Sequence, residues 1–134
     1  MTQQREAKRL SPGGHAANEQ AWDRQALGRW GEDRVARWYR RQGFRVLDRN
    51  WRSGRGELDV IVQQGSLVVV CEVKTRTSLA YGRPAEAVGY QKQQRIRRLA
   101  AQWLSEHERS GAVQLRFDVA EVLGRKIRVI ESAF

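Results

Sequence analysis

Asp59, Glu72 and Lys74 are the residues of this 134-residue chain whose types and spacing best suit work on a phosphate. They lie in the stretch GELDVIVQQGSLVVVCEVKTR, from Gly56 to Arg76. Leu58–Val62 predicts one strand, Gln63-Gln64-Gly65-Ser66 a tight turn, and Leu67–Lys74 a second strand. Gly65 can take the positive φ that a short hairpin needs. The run Leu67–Cys71 has no polar residue, so this strand is expected to be covered on both faces. With Gln64 and Gly65 as the two loop residues, Asp59 faces Val70 and Glu57 faces Glu72. Side chains alternate along a strand, which places Glu57, Asp59, Glu72 and Lys74 on one face. Asp59 and Glu72 are then diagonal neighbours with β-carbons about 7 Å apart. Two carboxylates at that separation can share a hard cation such as Mg²⁺, whose oxygen ligands sit at about 2.0–2.1 Å. Lys74, one pleat further, can reach a metal-bound water or a substrate phosphate. A one-residue slip would undo the arrangement, so it depends on the turn.

The flanking segments must position this hairpin. Residues 1–19 are polar and interrupted by Ser11-Pro12-Gly13-Gly14, which predicts a disordered basic arm. Residues 20–134 read as a single domain. From Gln20 to Gln42, Leu27, Gly31, Val35, Trp38 and Tyr39 recur with helical period, and Gly43 is placed to end the helix. Gly28 and Gly31 are costly inside a helix and imply close approach to the sheet. Glu32 lies at the margin of the apolar arc, with two readings: it points toward the carboxylates, or it pairs with a surface arginine. Phe44–Leu47 predicts a first strand, followed by a basic loop from Asp48 to Gly56. Trp51 in that loop either stacks on a base or lids the core. After Lys74 comes a loop carrying Arg76, Thr77 and Arg83. Pro84 fits the start of a second helix spanning Ala85–His107, with Val88, Ile96, Leu99, Ala100 and Trp103 buried. Lys92 shares that arc and either reaches the acidic end of the sheet or snorkels outward. Val113–Val122 and Lys126–Ile130 predict two more strands, the last at an edge. The expected fold is α/β, with the order α-β-β-β-α-β-β.

The formal net charge of +10 and a pI near 10.9 favour a polyanionic partner, nucleic acid first. No apolar run is long enough to span a membrane, and no secretory h-region opens the chain. Cys71, the single cysteine, excludes an intrachain disulfide and suits a reducing cytoplasm. His15 and His107 lack zinc-like spacing.

An acidic residue on one strand and Glu-x-Lys on its neighbour resemble the PD-(D/E)XK nucleases. A wider set is more specific: Gly28-x-x-Gly31-Glu32, Gly56-Glu57-x-Asp59, Glu72-Val73-Lys74-x-Arg76, Gly82-x-Pro84, Lys92, Arg116-Phe117-Asp118 and Ala133-Phe134. Together these resemble the YraN family of bacterial proteins, itself similar to Holliday-junction-resolvase-type nucleases. The likeness covers about residues 25–134. Leu58 stands where the superfamily motif has proline, and Cys71 where the family usually has an aromatic.

The resemblance implies a restriction-endonuclease-like fold, a mixed β-sheet flanked by helices. It implies metal-dependent hydrolysis of DNA phosphodiesters, with branched or damaged DNA as a substrate, leaving a 5′-phosphate and a 3′-hydroxyl. Asp59, Glu72 and Lys74 would be catalytic. Asp59, Glu72 and Glu32 would hold Mg²⁺ or Mn²⁺ with a main-chain carbonyl such as that of Val73. Arg55, Arg76, Arg83, Lys92 and Arg95 would contact nucleic acid. Glu57 is either a ligand or a partner of Arg55 or Arg76. Asp118 is expected to be structural, paired with Arg116 or Lys92, with a role in the site as the alternative. RNA as partner and a homodimer stay open, as does a non-catalytic binding module or assembly factor on the same fold.

Overall fold

The computed structural model describes residues 24–76, 88–107 and 113–134. Helix α1 (Arg24–Arg41) is followed by strands β1 (Arg45–Ser53), β2 (Gly56–Gln64) and β3 (Leu67–Arg76). Helix α2 (Tyr90–Glu106) and strands β4 (Gln114–Leu123) and β5 (Lys126–Ile130) complete the chain. The order is the expected α-β-β-β-α-β-β, and the fold is consistent with a nuclease-like α/β architecture. The arm at 1–19, and with it Arg83 and Pro84, lie outside the described residues. Among the described residues no helix is long and apolar enough to cross a membrane.

The five strands form one sheet in chain order, antiparallel except for the parallel pair β3–β4. A parallel pair needs a crossover, and α2 lies in it. One face of the sheet packs on α2, burying Leu58, Ile61, Val68, Val70, Ile96, Leu99 and Trp103. The other packs on α1, burying Val60, Val62, Val69, Cys71, Val35 and Tyr39. The apolar run in β3 is thus covered on both sides, as its composition predicts.

A local signal sets the C-terminal end of α1. Gly43 has φ of 96°, the Gly43 N–H donates to the Arg40 carbonyl, and the Phe44 N–H donates to the Tyr39 carbonyl, each at 3.0 Å. This pair of bonds is a Schellman closure, and it needs a residue that tolerates left-handed backbone. At the other end of the chain, fully buried Asp118 accepts from Tyr39 Oη (2.6 Å), Arg116 Nε and Nη2 (both 2.9 Å) and the Ser132 N–H (3.0 Å). Asp118 is therefore structural, and Arg116 is its partner. Burial, then the neighbouring Cys71 and Asp118, hold the Tyr39 phenol far above its ordinary range.

Three sequence expectations need correction. The first strand does not stop at Leu47 but runs to Ser53, with an irregularity between Val46 and Asp48. Its polar residues read as loop because this is an edge strand, only half-buried. Trp51 packs against the α2 cluster and so takes the core-lid role. Helix α2 begins at Tyr90 after Gly89, whose ψ of 172° is extended, rather than at Ala85. The hairpin loop is Gly65-Ser66, because Gln64 pairs with Leu67 and Val60 with Cys71. The register is thus displaced by two residues from the expected one. A displacement of two preserves faces, where one residue would have reversed them.

Candidate metal and nucleic-acid site

The β2–β3 ladder ends at Val60 and Cys71. One residue further, Asp59 Oδ2 accepts from the Val73 N–H at 2.9 Å, so a side chain replaces the next main-chain rung. Regular alternation also breaks here. Leu58 and Ile61 both join the α2 core, whereas Val60 and Val62 join the α1 core. Asn50, between Arg49 (paired with Val60) and Trp51 (paired with Leu58), has φ of 51°. Asparagine tolerates that left-handed backbone better than most residues. The two irregularities face each other across β1 and β2.

The break separates the acidic residues. Glu57 turns toward α1, where its carboxylate and those of Glu32 and Asp59 bring oxygens within 4.8 Å of one another. Glu72 turns toward α2, where its Oε2 lies 2.6 Å from Lys92 Nζ and 3.7 Å from Lys74 Nζ. The expected single face holding Glu57, Asp59, Glu72 and Lys74 is therefore divided, with Asp59 at the boundary. Glu32 takes the first of its two readings and points to the carboxylates. Lys92 reaches the acidic end of the sheet rather than snorkelling. Glu57 joins the acidic group and also pairs with Arg52 Nε at 3.1 Å, not with Arg55 or Arg76.

Glu32 and Asp59 are each 8% exposed. Burial, then the charge of Glu72, push the Asp59 carboxyl up to about 8, against the Val73 N–H, which favours the anion. Burial also raises Glu32, offset by the Asn50 side chain and Arg49. On the α2 side, burial and then the charge of Lys92 lower Lys74. Burial works to lower Lys92, but its hydrogen bond and ion pair with Glu72 raise it.

These residues fit a hard divalent cation. The donors are all carboxylate oxygens, as Mg²⁺ and Mn²⁺ prefer. Glu32 Oε1 is shut off from solvent and has no hydrogen-bond partner among the described residues. Such an atom is costly unless something positive meets it. Oxygens opposite each other on Mg²⁺ are about 4.2 Å apart, so a small side-chain adjustment would close the cluster. Glu72 belongs to the arrangement as Asp59's neighbour but is neutralised by its lysines.

The sequence profile described as "Uncharacterised protein family UPF0102" matches residues 31–122. The chain belongs to the UPF0102, or YraN, family. A UPF0102 protein of Frankia casuarinae is 55% identical over 94 residues, covering 70% of this chain and 79% of that one. A UPF0102 protein of Rhodococcus opacus is 50% identical over 98 residues, covering 73% and 82%. One from Syntrophotalea carbinolica is 47% identical over 104 residues, covering 78% and 84%. The matched span of this UPF0102 chain encloses Glu32, Glu57, Asp59, Glu72, Lys74, Lys92 and Asp118.

The remaining expected contacts scatter more widely. Arg76 ends β3 and is half-buried. Arg55 in the β1–β2 turn and Arg95 on α2 are exposed and border one groove. Sequence reasoning left Glu57 open between ligand and ion-pair partner, and it did not single out Asn50. The common face of Glu57 and Asp59 was the available signal for the first. For Asn50 there was only an asparagine in a polar stretch.

Proposed function

We propose that this UPF0102 protein is a metal-dependent, endonuclease-like nucleic-acid-binding protein that hydrolyses DNA phosphodiester bonds, with branched or damaged DNA as its substrate class. What supports this is the meeting of Glu32, Glu57 and Asp59 around a buried, partnerless Glu32 oxygen, beside Glu72 and Lys74. Glu32, Glu57 and Asp59 would hold Mg²⁺ or Mn²⁺, with Glu72 next to them. Bound there, the cation would lower the pKa of a water and screen the scissile phosphate. Asp59 is fixed for this by the Val73 N–H. Lys74 presents an ammonium 3.7 Å from Glu72, where it would donate to a phosphate oxygen as charge develops. Arg55, Arg76 and Arg95 would contact flanking phosphates, and Lys92 would exchange Glu72 for phosphate. DNA is the proposed partner and the cytoplasm the proposed location.

A second reading is a non-catalytic binding module on the same fold. The 2.6 Å Lys92–Glu72 pair favours it, because the ammonium neutralises Glu72 without a metal ion. The deciding experiment is a cleavage panel on linear, flapped and four-way DNA, and on RNA, with Mg²⁺ or Mn²⁺. Asp59→Asn and Glu72→Gln should lose turnover by about a hundredfold or more, since the cation would supply both the activated water and the charge screening. Their affinity for DNA in chelator should hold or improve. Variants that cut as fast as wild type would hand the protein to the second reading. Light scattering on the same samples reports whether it is a homodimer.

A further inference from the structure

We propose that a single nucleic-acid strand runs from the acidic cluster along one face of α2 and into the groove between α2 and the β1–β2 turn. This rests on the nucleic-acid reading above and specifies the form of the substrate. The groove has a volume of about 520 Å³. Arg55 lines it from the turn and Arg95, Arg98 and Gln102 from the helix, over Leu99. No acidic residue contributes to its lining, and among the described residues no carboxylate pairs with any of these three arginines. All three arginines are exposed.

The walls are fixed against each other. Gly56 has φ of 147°, and a Cβ there would lie 3.2 Å from Leu99 Cδ1 and 3.7 Å from Arg95 Cδ. The turn therefore rests directly on the helix, and Glu57 of the acidic cluster is the next residue. The helix supplies a second line of continuity. Lys92, Arg95, Arg98 and Gln102 are spaced three or four residues apart, which puts them on one face. The stripe starts at Glu72, through Lys92, and is about 15 Å long at 1.5 Å per residue. That length spans about four nucleotides if the strand keeps the 3.4 Å stacked rise, and fewer if it is extended.

The chemistry of the lane suits a backbone. Guanidinium groups pair with phosphate in forked geometry, and Gln102, whose Nε2 donates to Glu106 Oε2 at 2.8 Å, keeps a second N–H for a sugar or base. Leu99, buried beneath the arginines, closes the floor of the groove and keeps its walls packed. The recess has the volume of a site that encloses one small ligand, so it takes one strand and leaves the second strand of a duplex outside. A strand lying in it would deliver its next phosphate toward Asp59 and Glu72.

The test is fluorescence anisotropy of the full chain in chelator, with a labelled oligothymidylate and a labelled duplex of equal length. Wild type should bind the single strand more tightly. Arg95→Ala with Arg98→Ala should weaken that binding by about tenfold or more and flatten its log–log salt slope by about 1.4, two phosphate contacts at roughly 0.7 each. Arg40→Ala with Arg41→Ala, exposed at the end of α1, removes the same charge elsewhere and should leave the affinity nearly unchanged. Preference for the duplex, equal losses in the two double variants, or no binding to either probe would each overturn the lane. Cleavage plays no part in this readout. A lane without nuclease activity, or nuclease activity without this lane, is therefore seen as such.

Discussion

Lys92 Nζ, from the first turn of α2, lies 2.6 Å from Oε2 of Glu72 at the end of β3. The contact ties the crossover helix to the strand before it, and Glu72 is only 11% exposed. Lys92→Met leaves that carboxylate with Lys74 alone, at 3.7 Å. The expected loss is about 1–2 kcal/mol, reduced from the buried-pair range because Lys92 is one-third exposed. Added Mg²⁺ should restore part of it. Urea titrations with and without Mg²⁺ measure both quantities. A variant as stable as wild type in chelator would mean that the pair contributes no net stability.

Mg²⁺ or Mn²⁺ should raise the melting temperature of wild type. A ligand at ten times its Kd adds about 1.4 kcal/mol. For a domain of this size that is about 5 °C. Asp59→Asn and Glu32→Gln should abolish the shift, measured by circular dichroism. Equal responses in wild type and Asp59→Asn would remove the cation from this site.

The raised Asp59 carboxyl predicts an unusual pH profile in chelator. Its unfolded value is near 3.8 and its folded value about 8. Between these the native state holds the extra proton, so stability falls as pH rises from about 4 to about 8. Raised Glu32 acts in the same sense. Cations compete with those protons, so the stabilisation by Mg²⁺ should grow over the same interval. Chemical unfolding at stepped pH should show a flatter profile for Asp59→Asn. The same slope in both proteins would locate the titration elsewhere.

Tyr39→Phe should cost about 1.5–3 kcal/mol, the usual range for a hydrogen bond to a charged group, because its hydroxyl is 2.6 Å from buried Asp118. Arg116 remains to hold the carboxylate, so the fold should survive. The Mg²⁺-induced shift should be unchanged, since this network is apart from the cation cluster. Thermal melts with and without Mg²⁺ separate the two effects.

Features decided by neighbouring residues were legible in the sequence. The Gly43 closure, the positive φ at Gly65 and the edge strand Lys126–Ile130 all match their local signals. The doubly covered run in β3 was readable from composition alone. Features decided across the sheet were not. The polar stretch Asp48–Ser53 becomes strand only because β2 pairs with it. The hairpin register follows the whole ladder rather than the turn residues, and Gln64, a turn residue by type, ends up paired with Leu67. The break in alternation at Asp59 is invisible to a period-two pattern, so Glu57 was assigned to the side of Glu72. Asp59, Glu72, Lys74 and Lys92 were identifiable as neighbours because strand pairing and helix period survive a displacement of two.

Gly28 and Gly31 read alike in the sequence, but only one of them is at a close approach. A Cβ on Gly28 would meet nothing within 4 Å, whereas a Cβ on Gly31 would overlap Thr75 Oγ1. Gly31 precedes Glu32, and Thr75 follows Lys74. The gap between the helix that carries one carboxylate and the strand that carries Glu72 and Lys74 is thus gauged by a missing methyl group. Gly31→Ala would act as a wedge, widening the site while leaving every charge in it intact. It would distinguish spacing from charge as the source of cation affinity, with Mn²⁺ titration calorimetry as the readout.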